Sequence, residues 1–456
     1  MSKQYFLKGT LILTCAGLVT RFIGFFYRIF LSHTIGAQDL GIYQLVSPLQ
    51  MLVLSITTFG IQTAISRLAA SRLAVGKSRD AGDIFFLGAG ISVLLSSLLA
   101  WVLYHNSAFF SAEILKETQT EPFIRLLSFG LPLSSLHICA NGYYFARKKA
   151  EIPSGIQFLE QLVRVGVTYL LYQIFLSEGR EITAFIAVGG SLASEGAAAF
   201  VSLLAIGGSF HKHNYTPLPL SQPAKKIGDI LQLSFPLSVN RVLLTLLSSI
   251  EVVLIPQRLR MYGLGSEEAL SIYGILTGMV MPLLLFPSTI TNSASVMLMP
   301  SIAELQALGY SRRIRYVISQ AGKYCFSLGG ACTFVFFFFG KFLGEFLFHS
   351  PTAGIYIQTM AFICPFMYLN TALSSILNGL GKTGANLVHS AVSTGIRIAF
   401  VLFAIPLLGI RGYLYGVLLG EILLSGMHIF SLRPANFPID NFSGIVYNSV
   451  GKNKRK

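Results

Sequence analysis

Charge is what this chain has least of. Only 12% of its 456 residues are Asp, Glu, Lys or Arg, while 53% are apolar. A soluble domain carries about 25% charged residues, so the composition excludes an ordinary soluble fold and points to an integral membrane protein. Carboxylates are scarcer still, 19 against 34 Lys and Arg, for a net charge of +15. That surplus is not a nucleic-acid signature, because the basic residues sit in short clusters between apolar stretches, the pattern left by membrane topology sorting. The five cysteines (Cys15, Cys139, Cys325, Cys332 and Cys364) form no CxxC pair and fall in apolar stretches, so they read as small buried hydrophobes. There is no P-loop and no Asp-rich or His-Glu metal spacing. This argues against an internal ATPase, a metal site or a metal-dependent glycosyltransferase, and no cofactor is expected. The eight histidines are scattered, and His137 and His389 are expected to be satisfied structural groups. No apolar span is expected to contain an Asp.

About twelve apolar spans can be drawn, centred near Val19, Leu52, Val93, Pro132, Gly166, Gly196, Leu243, Val280, Thr333, Pro365, Ile396 and Glu421. The first holds Arg21 near its middle, which interrupts the region a cleaved signal peptide would need. Thr10, Thr14, Gly17, Arg21, Gly24 and Arg28 recur at spacings of three and four, so they share one helical face. The opposite face is Leu, Ile, Val and Phe. Such a helix turns an apolar back to lipid and a cationic front to a polar interior. Basic clusters at Lys3 and Lys8, 67–79, 147–149, 212–226, 312–323, Lys382 and 452–456 far outnumber Lys116, Arg180, Arg258, Arg260, Lys341 and Arg411 in the alternate segments. The positive-inside rule therefore predicts that both termini are cytoplasmic.

The spans repeat. Arg21 corresponds to Arg241, Pro48 to Pro282, Pro132 to Pro365, Arg164 to Arg397 and Glu195 to Glu421, at offsets of 220 to 234 residues. An even number of spans in each half makes the halves point the same way. The expected fold is thus an all-α integral membrane protein with about twelve transmembrane helices in two parallel six-helix lobes around a central cavity. The expected division is an N-terminal lobe over 1–212, a cytoplasmic linker over 213–229, a C-terminal lobe over 230–432 and a basic cytoplasmic tail over 433–456. Pro48, Pro132, Pro282 and Pro365 at matched places remove backbone donors, and they read either as packing features or as hinges for alternating access.

Arg21, Arg164, Glu195, Arg241, Arg397 and Glu421 all lie near the midpoints of their spans. A charge at the bilayer centre costs about 2.5–3.5 kcal/mol on insertion scales. Six facing lipid would exceed the whole stability of a typical domain, about 5–15 kcal/mol. They must face a hydrated interior or one another. Glu160 and Arg164 stand at i,i+4 in the favourable order and suit a self-neutralising clip. Arg21 and Arg241 have no carboxylate within four residues, and an Arg pair from matched faces suits a phosphate or pyrophosphate. The competing reading pairs them across helices with Glu195, Glu251 or Glu421. The candidate substrate-binding residues are therefore Arg21, Arg28, Arg241, Arg164 and Arg397. Glu195, Glu421, Glu160 and Glu251 are candidates for coupling or counter-ion roles, with H+, Na+ or the membrane potential as possible drivers. Phe334 to Phe339 reads as a lipid-facing run.

The stretches Phe6–Leu13, Gly17–Phe25, Gly41–Pro48 and Gly60–Leu68 resemble the stage V sporulation protein B family. That family belongs to the multidrug/oligosaccharidyl-lipid/polysaccharide exporter superfamily. The likeness covers most of the chain and continues around Leu377–Lys382. It implies a two-lobed flippase in the bacterial cytoplasmic membrane that moves an undecaprenyl-pyrophosphate-linked saccharide, lipid II among the candidates, with Arg21 as a cavity cation. Gln62 departs from the Pro of many relatives, and twelve spans are two fewer than in related lipid II flippases, so another lipid-linked saccharide competes with lipid II. The expected partners are that lipid-linked saccharide, membrane lipids and, as further candidates, cell-wall synthesis enzymes, with no nucleic acid. A cation-coupled drug exporter, a membrane polymerase or ligase, and a non-transporting wall or spore scaffold are the alternatives. The short loops speak against an enzyme, and the excess of midplane Arg speaks against a carrier of cationic drugs.

Overall fold

The computed structural model describes residues 3–212, 215 and 222–432, and among these every regular element is helical. In order they are α1 (Lys3–Thr34), α2 (Gly36–Thr57), α3 (Phe59–Ala74), α4 (Ser78–His105), α5 (Ser107–Phe109), α6 (Glu121–Ser128), α7 (Gly130–Ala146), α8 (Glu151–Ser177) and α9 (Phe185–Lys212). There follow α10 (Pro223–Met261), α11 (Ser266–Gly274), α12 (Met281–Leu285), α13 (Ser288–Ala307), α14 (Ser311–Phe348) and α15 (Pro351–Met360). The last are α16 (Cys364–Gly379), α17 (Thr383–Phe403), α18 (Ile405–Leu408) and α19 (Ile410–Ser431).

Among the described residues ten helical segments are long and apolar enough to cross a membrane, and the bent pair α6–α7 makes eleven. The twelfth expected span is α8. Its 27 residues reach about 40 Å at 1.5 Å per residue, but Glu160, Gln161, Arg164 and Gln173 dilute its hydropathy. Each expected centre falls inside a helix. Two helices far exceed a bilayer, α10 with 39 residues and α14 with 38.

Three of the four matched prolines mark irregular helix. Pro132 cannot donate to the Ser128 carbonyl, and there α6 and α7 meet at 47°. Pro365 follows a 3-10 turn over Ala361–Ile363 and leaves the Ala361 carbonyl without its helical donor. The Thr333 hydroxyl of α14 donates to that carbonyl at 2.8 Å, the kind of substitute donor that makes an intramembrane proline tolerable. Pro282 follows a π-helical stretch, Ile275–Val280. Pro48 lies inside α2, which runs on to Thr57 and breaks at Thr58.

By contacts the chain forms two compact units, one through Pro282 and one from Leu283. This boundary differs from the linker expected at 213–229. The reason is that α10 packs along α2, α3 and α4, and α11 along α2, within the first unit. Glycines allow the closest of these crossings. A Cβ on Gly274 would overlap the Ala37 carbonyl oxygen, and one on Gly41 the Leu270 carbonyl oxygen. The expected linker also shortens, since Pro223–Asp229 already form the first turns of α10. Residues 213–214 and 216–221, and the tail 433–456, lie outside the described residues.

In the first unit, Ile61, Ile65, Ile84, Phe85, Tyr143, Tyr144, Phe210 and Ile230 form one core. Beside it Lys226 Nζ binds Asp80 at 2.8 Å and the fully buried Asp83 at 2.6 Å. Tyr215 Oη donates to Asp83 at 2.8 Å. Asp83 lies within the apolar segment Ser78–His105, which corrects the expectation that no span holds an Asp. In the second unit, Ile302, Ile314, Leu373, Ile376 and Leu377 form a core. On α14 the run Phe334–Phe339 is exposed at Phe334, Phe337, Phe338 and Phe339, with Phe336 turned inward. All five cysteines are free, and Cys15 is exposed where burial was expected.

Candidate functional site

The repeat reappears as side-chain chemistry. In the first unit the Arg164 guanidinium on α8 donates to Glu160 Oε1 at 2.5 Å and to Ser194 Oγ at 3.4 Å. Both members of the i,i+4 pair are largely covered, at 23% and 19% side-chain exposure. On α9 the next residue, Glu195, turns to α7, where His137 Nε2 stands 3.3 Å from its Oε2. Gly190 lets α9 approach α8, because a Cβ there would overlap the Thr168 hydroxyl. Thr168 is itself bonded to Tyr27 Oη of α1 at 3.1 Å, which ties the first span into the cluster.

In the second unit Arg397 Nη1 on α17 stands 3.7 Å from Glu421 Oε1 on α19. The carboxylate's other oxygen accepts from Asn370 Nδ2 of α16 at 2.8 Å. Ser425 Oγ donates to Asn370 Oδ1 at 2.8 Å and fixes that amide. Asn370 follows Pro365 by the same five residues by which His137 follows Pro132. Each unit thus holds the repeat-related Arg and Glu and one side chain five residues past a helix-breaking proline, but in the first unit a second carboxylate, Glu160, takes Arg164 and leaves Glu195 to His137. The sequence reading found the Arg and Glu of each set, took His137 for a structural group and did not single out Asn370. The regular spacing from the matched prolines was the signal that could have found them.

Arg164 and Arg397 are therefore committed to carboxylates. Arg21 and Arg241 are different. Both are exposed, and among the described residues neither has an ion pair. Arg241 lies over the Phe59 ring at 4.2 Å, a cation–π contact that holds the guanidinium without neutralising it. Arg28 is partly buried and donates from Nη1 to the Thr277 carbonyl at 3.2 Å. Glu251 is buried on α10. Pro132, Pro282 and Pro365 sit at the breaks described above, whereas Pro48 lies within α2. His137 and His389, expected to be satisfied, each have a buried Nδ1 with no hydrogen-bond partner.

The first unit thus offers two guanidiniums without an ion pair among the described residues, Arg21 and Arg241, and the carboxylate of Glu195 beside His137, whereas in the second unit Glu421 is held by both Arg397 and Asn370. Among the described residues no group of His, Cys, Asp and Glu has a metal-binding arrangement.

Comparison with known proteins bears on this geometry. The chain is 28% identical over 436 residues to stage V sporulation protein B of Bacillus subtilis (strain 168), covering 94% of this chain and 83% of the relative. It is 23% identical over 462 residues to the lipid II flippase MurJ of the same organism, covering 91% and 80%. Among solved structures it resembles lipid II flippase MurJ in an inward closed conformation, with a TM-score of 0.72 at 15% identity over 96% of this chain and 91% of that one. The shared fold is the two-lobe helical fold of membrane transporters. The family model described as polysaccharide biosynthesis protein matches residues 6–306. A multi-pass helical membrane protein of transporter fold and not an enzyme, the chain belongs to the polysaccharide biosynthesis protein family.

Proposed function

We propose that this protein is a flippase that carries a lipid-linked saccharide, of the undecaprenyl-pyrophosphate type, across the bacterial cytoplasmic membrane by alternating access. Lipid II is one such substrate, and the lipid II flippase relatives favour this class. The observation that carries the reading is the contrast among the arginines. Arg164 and Arg397 are paired with carboxylates, whereas the repeat-related Arg21 and Arg241 are exposed and without an ion pair among the described residues. A pyrophosphate asks for such bidentate donors. The polyprenyl tail stays in lipid while the head moves.

In this reading both termini are cytoplasmic, because the basic clusters then lie inside. Glu195 and Glu421 couple the cycle to H+, Na+ or the membrane potential, and cell-wall synthesis enzymes consume the product outside. A carrier of cationic drugs would present acidic groups where Arg21 and Arg241 stand.

The test is flipping of a labelled undecaprenyl-pyrophosphate saccharide in proteoliposomes by wild type, Arg21→Ala and Arg241→Ala. Transport by wild type that falls at least tenfold in either variant, about 1.4 kcal/mol of lost stabilisation, with normal insertion, supports the headgroup site. Unchanged transport in both variants makes the two arginines structural. No transport by wild type with several lipid-linked saccharides removes the flippase reading.

A further inference from the structure

Three helices of the second unit turn polar residues to a common seam. From α16 come Asn370, Ser374 and Asn378, from α17 Asn386, His389, Ser393 and Arg397, and from α19 Glu421, Ser425 and His428. Their spacings of three, four and seven keep each set on one face. The upper part of the seam is the Arg397–Glu421–Asn370 triad. The lower part, toward Lys382, holds two histidines that the transport reading leaves unused.

His428 is 1% exposed. Its Nε2 stands 3.2 Å from Asn386 Oδ1, which also accepts from Ser374 Oγ at 3.0 Å. Asn386 Nδ2 in turn donates to Asn378 Oδ1 at 3.2 Å, which fixes the amide's orientation. An amide oxygen only accepts, so His428 carries its hydrogen on Nε2 and its Nδ1 is a bare acceptor. That Nδ1 is buried and has no partner. His389 Nε2 stands 3.3 Å from Ser431 Oγ, and its Nδ1 is likewise buried without a partner. The two rings lie 5.2 Å apart between centroids. A buried polar atom left unmatched costs about 1–3 kcal/mol, and here two stand on neighbouring rings.

We propose that His389 and His428 together form a proton-binding site that takes up one proton. One added proton gives one ring a donor while the other keeps an acceptor. A second would place like charges side by side in a poorly solvated seam, and the pair refuses it. The groups that face the pair bear on both steps alike. The α16 positions are uncharged, α17 adds Arg397 two turns beyond His389, and α19 adds Glu421 two turns beyond His428. Lys382 Nζ donates to the Ser431 carbonyl at 2.9 Å at the seam's end. Arg397 and Lys382 weigh against any added charge and Glu421 favours it, so the step that separates the first proton from the second is the charge the first places on the neighbouring ring. Proton occupancy of this pair then sets the field on Glu421, and through it the coupling of transport. That last step rests on the flippase reading; the proton site does not.

The experiment is histidine-selective NMR of the full chain in detergent micelles from pH 5 to 8, the range in which imidazole titrates. His389→Gln and His428→Gln assign the two rings. In the wild type the two rings should titrate together with uptake of one proton, and in each variant the remaining ring should move by about one pH unit, the scale of coupled sites. Rings that titrate independently, unmoved by loss of the neighbour, overturn the proposal, as do rings that stay neutral throughout. Should a variant fail to fold, the wild-type titration decides alone, because a pair sharing one proton shows two ring signals moving in step to half-protonation. In proteoliposomes the rate of saccharide flipping should change several-fold over this interval in wild type and stay flat in His428→Gln. Coupled titration without flipping by any form leaves the proton site and removes the flippase. Flipping with uncoupled titration does the reverse.

Discussion

The Arg28 guanidinium takes the place of the backbone donor that Pro282 lacks. In the π-helical stretch Met281 N–H bonds the Leu276 carbonyl, five residues back. In that register the Thr277 carbonyl would pair with the next amide, but residue 282 is proline and has none. Arg28 Nη1 donates to Thr277 O at 3.2 Å instead. One of the candidate substrate cations is thus also the cap of a candidate hinge. Arg28→Ala should lower stability by about 1–3 kcal/mol, the cost of a buried acceptor left unmatched. Pro282→Ala restores an amide at that position, and in its background the cost of Arg28→Ala should shrink. A double-mutant cycle on thermal unfolding in detergent measures the coupling. Additive effects would refute the capping role.

The two Arg–Glu pairs, Arg164–Glu160 and Arg397–Glu421, predict an asymmetry between single and double variants. Removing one partner of a buried ion pair strands the other, at about 3–5 kcal/mol, whereas removing both is much milder. Glu160→Ala should therefore cost folded yield that Glu160→Ala with Arg164→Ala regains. Arg397→Ala, relieved by Glu421→Gln, should behave the same way. His137→Asn should be mild, because Asn370 fills the equivalent place in the second unit with an amide donor. Fluorescence-detected size exclusion after heating ranks all of these. A double variant as unstable as its worse single would sink the pairing.

What the sequence made legible follows from spacing along one helix. The Glu160–Arg164 clip is an i,i+4 pair and needs no knowledge of neighbours. The helix breaks at Pro132, Pro282 and Pro365 follow from a missing amide, and the spans follow from runs of apolar residues. What was not legible depends on how helices are rotated against one another. Glu195 meets His137 rather than an arginine because α7 and α9 pack at one particular register. Lys226 and Asp83 are 143 residues apart, and only the packing of α10 on α4 brings them together. Arg28 looked like a free cavity cation, because its partner is a carbonyl made available by a π turn, which no residue pattern announces. The compact units divide at Pro282 because α10 and α11 lie along α2 and α3, a matter of packing that the internal repeat does not record.

The Lys226–Asp80–Asp83 cluster should be the most sensitive polar point outside the two Arg–Glu pairs. Lys226 is 8% exposed at its side chain and Asp83 is fully buried, so Lys226→Met takes the ammonium from a buried carboxylate that keeps its Tyr215 hydrogen bond, and should cost about 3 kcal/mol, the lower end for a broken buried pair. Tyr215 adds a pH signature. Burial, and then the hydrogen bond and charge of Asp83, push its phenol above the ordinary tyrosine range. A group whose pKa is raised on folding contributes stability that is full below its unfolded value and is lost as pH climbs through and beyond it. The stability advantage of wild type over Tyr215→Phe should thus be constant to about pH 9 and shrink above about pH 10, the ordinary tyrosine value. Chemical denaturation of both forms across this range checks it. An advantage that grew with pH would show that Tyr215 is not a buried neutral donor.

Gly274 gives the sharpest steric prediction. Its missing Cβ lets α11 lie against α2, where the Ala37 carbonyl oxygen and the Gly41 amide occupy the space a side chain would need. The obstructing atoms are backbone, so no rotamer change makes room, and the helices must separate. Gly274→Ala should cost about 1–3 kcal/mol, the usual range for overpacking, and Gly274→Val more. Gly265 in the loop before α11 meets nothing within reach of a Cβ, and Gly265→Ala should be nearly neutral. The two alanine variants carry the same chemical change, so their difference isolates the helix crossing. Thermal unfolding measures stability, and a cysteine pair at Leu40 and Gly278, where the same crossing continues, reports closeness directly. That pair should cross-link in an otherwise unaltered chain and lose efficiency when Gly274→Val is added. Equal cross-linking in both would mean that α2 and α11 adapt around the added methyl groups, and the crossing would then not depend on glycine.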